Sequence, residues 1–410
     1  MRKGIALTGT LLLVLAACGD DDDEATGSTT GSSGAAATTA AAGTTLAPAS
    51  TAAPSTTAPV GAYPVPTTTA APGTTAAPGT TVAAGPCPGT VGCVPANQPD
   101  VNGSGVVVGV LSPGDTNDNG YYESLVSAAR DYSDREGWQL VVVDRVNPVD
   151  AVEQTRNLCR QGGDFLAVAD LQLQDALPVA GEPVCEGVIF YLVTGGNEAE
   201  LNGNFFVTGE DVNESQVTTG YATGLVMRDL DVAKAGFIGG PELDFVNDSY
   251  RAWGNGVRLV LPDATFVQTL TGSFDDSALG QEAAQAQISE GAGIIYPYLG
   301  GAIGAAASAA AQSDVLSVAP GTDRCAEPQF AVSSLFPPGD YFRASLERLQ
   351  AGEIKMGERI IFRVGVDDVV GATICPSVPN ADALNAELDQ FMADVAAGDV
   401  DTDQVASGEL

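Results

Sequence analysis

From Ser104 onward the chain alternates between short apolar runs and longer stretches of helical period, and that alternation confines it to an α/β architecture. VVVGVL (106–111) carries no polar side chain, as a parallel strand covered on both faces requires. A loop rich in Gly, Asp and Asn follows, SPGDTNDNG, and then a helix over 122–136. LVVVD (140–144) predicts a second strand, 149–162 a second helix and FLAVAD (165–170) a third strand, with VIFYLV (188–193) and FFVT (205–208) continuing the series. The pattern then begins again: a helix over 214–227, AGFIGG (235–240), a helix over 250–261, TFVQTL (265–270), a helix over 277–290, GIIYPYL (293–299), a Gly/Ala-rich helix over 301–311 and VLSVA (315–319). Two such series predict two lobes, each a doubly wound parallel sheet, with a ligand cleft between them. A folded part of roughly 300 residues is long enough to bury a core in each lobe.

The first hundred residues have another character. Arg2 and Lys3 precede an apolar stretch over 5–15 that ends in LAAC (15–18). The stretch falls short of the roughly 20 apolar residues a bilayer-crossing helix needs, so 1–17 reads as a signal peptide. LAAC resembles the lipobox of bacterial lipoproteins, which implies cleavage before Cys18 and acylation of its thiol and new amino group. Two or three acyl chains, at about 0.8 kcal/mol per buried methylene, would hold the protein at the outer face of the cell membrane. GDDDDE (19–24) and a run of Ala, Thr, Ser, Pro and Gly then extend to about residue 85. With almost no large apolar side chains, this segment cannot offset a backbone ordering cost of about 1–2 kcal/mol per residue. Residues 18–100 are therefore expected to be a flexible tether.

Composition excludes several functions. Seventeen Lys and Arg against 52 Asp and Glu give a formal net charge of −35, which repels nucleic acid. The chain has no His, and so lacks the commonest general base, the Ser-His-Asp arrangement and the most frequent zinc ligand. No metal and no cofactor are expected. Of seven cysteines, Cys18 is the lipidation candidate and six remain in an oxidising compartment. Sequence proximity favours Cys87 with Cys93, Cys159 with Cys185, and Cys325 with Cys375, among fifteen possible connectivities. A Cys-rich metal site is the alternative, although no CxxC pair occurs.

An exported lipoprotein with a two-lobed α/β domain resembles the solute receptor of an ABC importer. Over 106–395 the chain is similar to the basic membrane protein family, whose members include purine-nucleoside receptors. The strings that carry the resemblance are NDNGYYESLVSAARDY (117–132), NESQVTTGYATGLV (213–226), AGFIGG followed by AWGNGV (252–257), TGSFDD (271–276) and YPYLGGAIGAAASAA (296–310). It implies a periplasmic-binding-protein-like type I fold that closes on a small solute. It also implies a permease and an ATPase as partners, a monomeric state, an extracytoplasmic position on the membrane and no catalysis. The lobes are expected at 104–211 plus about 323–350 and at 212–322 plus about 351–380, with 381–410 a C-terminal helix and tail. Crossings between lobes are expected near 210–213, 320–323 and 350–352.

Laid against the family's Asp-Asp-x-x-Phe-Asn string, Asp118 falls on the second Asp and Tyr121 on the aromatic, with Asn117 and Tyr122 beside them. Ser112, Tyr122, Ala319 and Pro337 stand where the family has Asp, Asn, Asp and Lys; a shift of the third loop would substitute Asp323. Ligands of open α/β sheets bind beyond the carboxyl ends of strands. That rule adds Asp170 and Gln172 after the third strand, Trp253 and Phe245 in or beside the helix after AGFIGG, and Tyr298, Gly300 and Gly301 at the end of GIIYPYL. Each has a plainer reading: Asp118 as a helix cap, Tyr121 as lobe packing, Trp253 as core, the paired glycines as a turn. The carboxylates could hold a cation against the faces of Tyr121, Tyr122 and Trp253. Three functions follow: a receptor delivering a small polar solute such as a nucleoside to a permease, a ligand-sensing or adhesive surface lipoprotein on the same scaffold, and a two-carboxylate glycosidase using Asp118 and Asp170.

Overall fold

Each series of apolar runs forms its own sheet in the computed structural model of the chain, which describes residues 105–193 and 203–410. The signal peptide, Cys18, the tether, Cys87 and Cys93 lie outside the described residues. In the first lobe β1 (Val107–Leu111), β2 (Gln139–Val143), β3 (Phe165–Val168), β4 (Ile189–Val193) and β5 (Phe205–Glu210) alternate with α1 (Tyr121–Glu136) and α2 (Ala151–Arg160). Together with β11 (Arg359–Phe362) they form a six-stranded sheet of order β11-β5-β4-β3-β1-β2, parallel throughout. The central strands β3, β4 and β5 are buried at every position, which is why their sequences show no alternation. Phe165, Tyr191 and Phe342 stack on one face of this sheet, and Leu158, Leu166 and Phe190 pack on the other.

The second lobe repeats the plan. Its sheet runs β12-β10-β9-β8-β6-β7, made of β6 (Lys234–Gly239), β7 (Thr265–Leu270), β8 (Ile294–Tyr298), β9 (Leu316–Ala319), β10 (Phe330–Leu335) and β12 (Gly371–Ile374). Only β12 runs antiparallel to its neighbour. The covering helices are α3 (Val212–Asp229), α4 (Asp244–Val260), α5 (Ser277–Ser289) and α6 (Ile303–Ala311). Helices α3 and α4 cross so closely that a Cβ on Gly220 would lie 2.0 Å from the Trp253 carbonyl oxygen, and one on Gly256 2.3 Å from that of Val217. Cys159 is bonded to Cys185 and Cys325 to Cys375.

The crossings between lobes depart from the sequence reading at two of three places. The first, after Glu210, falls where expected. Strand β10 does not return to the first lobe: five of its six residues are buried where they cover the edge of β9. The chain passes back only between Leu335 and Pro338, where α7 (Pro338–Ala351) packs on α1, β4 and β5. It leaves again between β11 and β12. Segment 320–323 is thus an internal loop of the second lobe, and 350–352 is the left-handed glycine end of α7 within the first. Helices α8 (Ala381–Ala397) and α9 (Thr402–Ala406), in the segment expected as a C-terminal helix and tail, pack on α3, α4 and β12. The first and third crossings are tied together by Glu214, only 3% exposed, which accepts hydrogen bonds from Arg363 Nε at 2.8 Å and Val364 N at 3.2 Å.

Candidate ligand-binding cleft

The carboxyl ends of the two sheets face each other across an open-mouthed cavity. Most wall residues lie within a few positions of a strand end, and Tyr121, Tyr122, Phe245 and Ser249 come from the first turns of α1 and α4. The first lobe contributes Tyr121 and Tyr122 from the start of α1, Asp170 and Leu171 after β3, Val193 at the end of β4 and Glu210 at the end of β5. The second contributes Phe245 and Ser249 from α4, Phe274 after β7, Tyr298 through Gly300 after β8, Pro320 and Gly321 after β9 and Phe336 after β10.

On the first-lobe wall, Asp170 begins the next turn by accepting a hydrogen bond from Gln172 N at 2.8 Å. Its other oxygen receives the Tyr122 hydroxyl at 3.4 Å, while Gln172 Nε2 donates to that hydroxyl at 3.2 Å. Tyr121 meets Tyr122 edge-on, with centroids 5.4 Å apart. Burial raises the Asp170 carboxyl above the ordinary carboxylate value, and the Asp275 carboxylate from the second lobe pushes it the same way. Burial also drives the Tyr121 hydroxyl far up, helped by Asp170 and Glu210. Glu210 is only 6% exposed.

The second-lobe wall is built of rings. Tyr298 stacks on Phe237 at 5.5 Å and leans on Phe336 at 6.1 Å, and Phe245 stacks on Phe274 at 6.2 Å. Ser249 is fully buried and lines the cavity, and its Oγ has no hydrogen-bond partner among the described residues.

Of the residues singled out in the sequence, Tyr121, Tyr122, Asp170, Phe245, Tyr298 and Gly300 line this cavity. Asp118 does not: its carboxylate accepts the amides of Gly120, Tyr122 and Glu123 at 2.9, 3.2 and 3.0 Å and so caps α1, whose own N-cap is a glycine without a side chain. Asn117 is exposed and bonds to Asp115. Gln172 reaches the site through Tyr122 and lines an adjoining opening with Arg145 and Asp275. Trp253 is completely buried among Phe237, Phe266 and Tyr296 and donates to Thr223 Oγ1 at 3.1 Å, so it is core. Gly301 spends its amide on Asp275 at 2.7 Å, and Gly300 donates to the Phe274 carbonyl at 3.0 Å, so these amides hold the turn into α6. Asp323 is exposed and accepts the Cys325 amide at 2.9 Å. Ser112 and Ala319 are wholly buried and Pro337 is the N-cap of α7; none lines the cavity. The sequence reading missed Glu210, Ser249, Phe274 and Phe336. Among the described residues no cluster of His, Cys, Asp or Glu could hold a metal ion, and no helix is long and apolar enough to cross a membrane.

The sequence profile of the ABC transporter substrate-binding proteins described as PnrA-like matches residues 105–392. Among solved structures, an ABC transporter solute-binding protein from Conexibacter woesei is 24% identical, with a TM-score of 0.55 over 72% of this chain and 97% of that one. A second solute-binding protein, from Aeropyrum pernix, gives 18% identity and a TM-score of 0.59 over 73% and 84%. A transcriptional activator of the comK gene from Bacillus halodurans gives 17% and 0.51 over 70% and 96%. These likenesses establish the fold, which carries more than one role. No curated protein sequence matches the chain.

Proposed function

Because the chain belongs to the Bmp family of PnrA-like ABC transporter substrate-binding proteins, we propose that it is the lipid-anchored, extracytoplasmic receptor of an ABC importer and clasps one small solute between its lobes. The family is one of binding proteins, not enzymes. The observation that carries the reading is the ring-walled cavity at the facing carboxyl ends of the sheets, bounded by three chain crossings on which the lobes can hinge. The solute is small and bears an apolar or ring-shaped part. Tyr121, Tyr298 and Phe336 offer it faces, and Asp170 and Glu210 accept hydrogen bonds from its donors. Purine nucleosides, the ligands the family resemblance implies, are the first class to test. The LAAC string supports an anchor at Cys18.

The reading is tested on the full chain in detergent with nucleosides, bases, sugars, amino acids and amines. A binding solute should raise the melting temperature, since ligand at 100 times its Kd adds about 2.7 kcal/mol. It should also shrink the radius of gyration and slow hydrogen exchange at the three crossings. Cys18→Ser should release the protein from membranes, and deleting the permease should abolish uptake of that solute. A ligand that binds without compaction, or uptake that persists without the permease, would overturn the proposal.

A further inference from the structure

We propose that the cleft takes a small uncharged ring compound with no sugar attached, and that Ser249 Oγ makes the hydrogen bond to the polar group on that ring. This narrows the ligand class of the receptor reading and rests on it.

Ser249 lies on the buried stripe of α4 between Val246 and Trp253, both of them fully buried. An apolar residue would pack there at no polar cost, and the fold makes no use of the hydroxyl: its Oγ has no hydrogen-bond partner among the described residues. Other buried polar atoms are also left without a partner, but of these Ser249 alone belongs to the cleft wall. It stands one helical turn beyond Phe245, which is also on the wall and stacks on Phe274, so the serine borders the space those rings enclose. A buried hydroxyl without a partner is costly, and a polar group on the bound solute would supply one.

The rest of the wall says what carries that group. Tyr121 of the first lobe and Phe245, Tyr298 and Phe336 of the second present rings, with aliphatic side chains such as Leu171 and Ile303 between them. Among the described residues no Asn, Gln, Thr, Lys or Arg belongs to the wall, so it lacks the amide and guanidinium groups that pair with a row of hydroxyls. The two carboxylates already serve the protein. Asp170 accepts Gln172 N at 2.8 Å and the Tyr122 hydroxyl at 3.4 Å, and Glu210 has interactions of its own, with the Tyr121 and Tyr341 hydroxyls beside it. A ribose or a hexose would bring several hydroxyls into these surroundings, and each one left unpaired lowers affinity about 5- to 150-fold. A bare ring avoids that loss: its faces meet the wall rings, and its polar edge group meets Ser249. Nor does the wall call for charge, since it has no basic group for an anion and its carboxylates are already engaged.

The test is calorimetry on the full chain in detergent, with each ring compared with its sugar-bearing counterpart: adenine with adenosine, uracil with uridine, and 4-methylphenol with its glucoside. At least one ring should bind about tenfold or more tightly than its counterpart. Ser249→Ala should weaken that ring about fivefold or more. It should leave the melting temperature of the ligand-free protein unchanged or raised, because the hydroxyl it removes pairs with nothing; a serine that served only the fold would lower it. Because ring and counterpart are compared on the unaltered protein, that result stands even if the variant folds poorly. If adenosine, uridine or the glucoside binds as tightly as its ring, the inference fails while the receptor reading stands. A Ser249→Ala protein that holds the ring as tightly as the parent overturns it as well. Silence from all three rings also defeats it, and the receptor reading is then judged separately by compaction and permease-dependent uptake.

Discussion

One substitution, made at two positions, separates two opposed effects on stability. Replacing a helical Gly by Ala gains about 0.5–1 kcal/mol from backbone entropy when nothing else changes. In α6, a Cβ on Gly304 would meet nothing within 4 Å, so Gly304→Ala should gain some of this. In α3, a Cβ on Gly220 would lie 2.0 Å from the Trp253 carbonyl oxygen and 2.9 Å from the Gly256 Cα, whereas ordinary contact begins at 3.4 Å. Both obstacles are backbone, and no rotamer change can move them. The helices must separate by more than about 1 Å, a displacement at the upper end of the 1–3 kcal/mol range for overpacked cores. Subtracting the propensity gain leaves Gly220→Ala destabilising by about 2 kcal/mol. With an unfolding entropy of about 2.1 cal/mol/K per residue over roughly 300 residues, the melting temperature should fall by about 3 °C, against a rise of about 1 °C for Gly304→Ala. Calorimetric melting of the two variants beside the parent decides the matter. A Gly220→Ala protein that melts at or above the parent would show that α3 and α4 do not cross as closely as described.

Three further outcomes are expected. Reducing the Cys159–Cys185 and Cys325–Cys375 bonds, which span 26 and 50 residues, should cost on the order of 3–4 kcal/mol each, visible as a lower denaturation midpoint with dithiothreitol; an unchanged midpoint would count against both pairings. Trp253→Phe should lower stability, because it removes a buried ring and the bond to Thr223, yet leave the affinity for any cleft ligand within about twofold; a tenfold loss measured by calorimetry would return Trp253 to the site. Burial raises Asp170 and Asp118 above 3.8, so the stability they lend the fold is fully present below 3.8 and is lost as pH rises through the raised values. Asp170→Asn should therefore flatten part of the fall in melting temperature between pH 4 and pH 7, and a pH dependence identical to the parent's would refute the sign.

The fold was legible because strands buried on both faces cannot alternate. Unbroken runs such as FLAV in β3 and IFYLV in β4 announce themselves one at a time. What could not be read was the lobe to which the later strands belong. FAVSSL in β10 and RIIF in β11 are similar short segments, yet one joins β9 and the other β5. That choice is made by which sheet edge is still open when the chain arrives, a tertiary fact with no local signal. Misplacing β10 also hid Phe336, which follows it directly.

The strand-end rule and the family motif each pointed to part of the cavity wall, the rule to Asp170 and Tyr298 and the motif spacing to Tyr121, but also to Asp118, which lies off the wall as the capping reading expects. Tyr121, Asp170 and Tyr298 lie just beyond strands or at the first helical turn and line the cavity. Asp118 carries the residue type expected of a ligand contact, but α1 begins at a glycine cap with free amides, and the nearest carboxylate was drawn to them. Glu210 could have been found by the same rule, since it is the one charged residue of FFVTGE and stands at that strand's last position, where the chain leaves the lobe. Ser249 could not, because its place in α4 looks like any buried helical serine until Phe245 and Phe274 close the wall around it. A cleft that forms when two lobes approach is written in residues far apart in the chain. The sequence declares which strand ends can take part, and the chemistry of the pocket emerges only where the ends of both sheets meet.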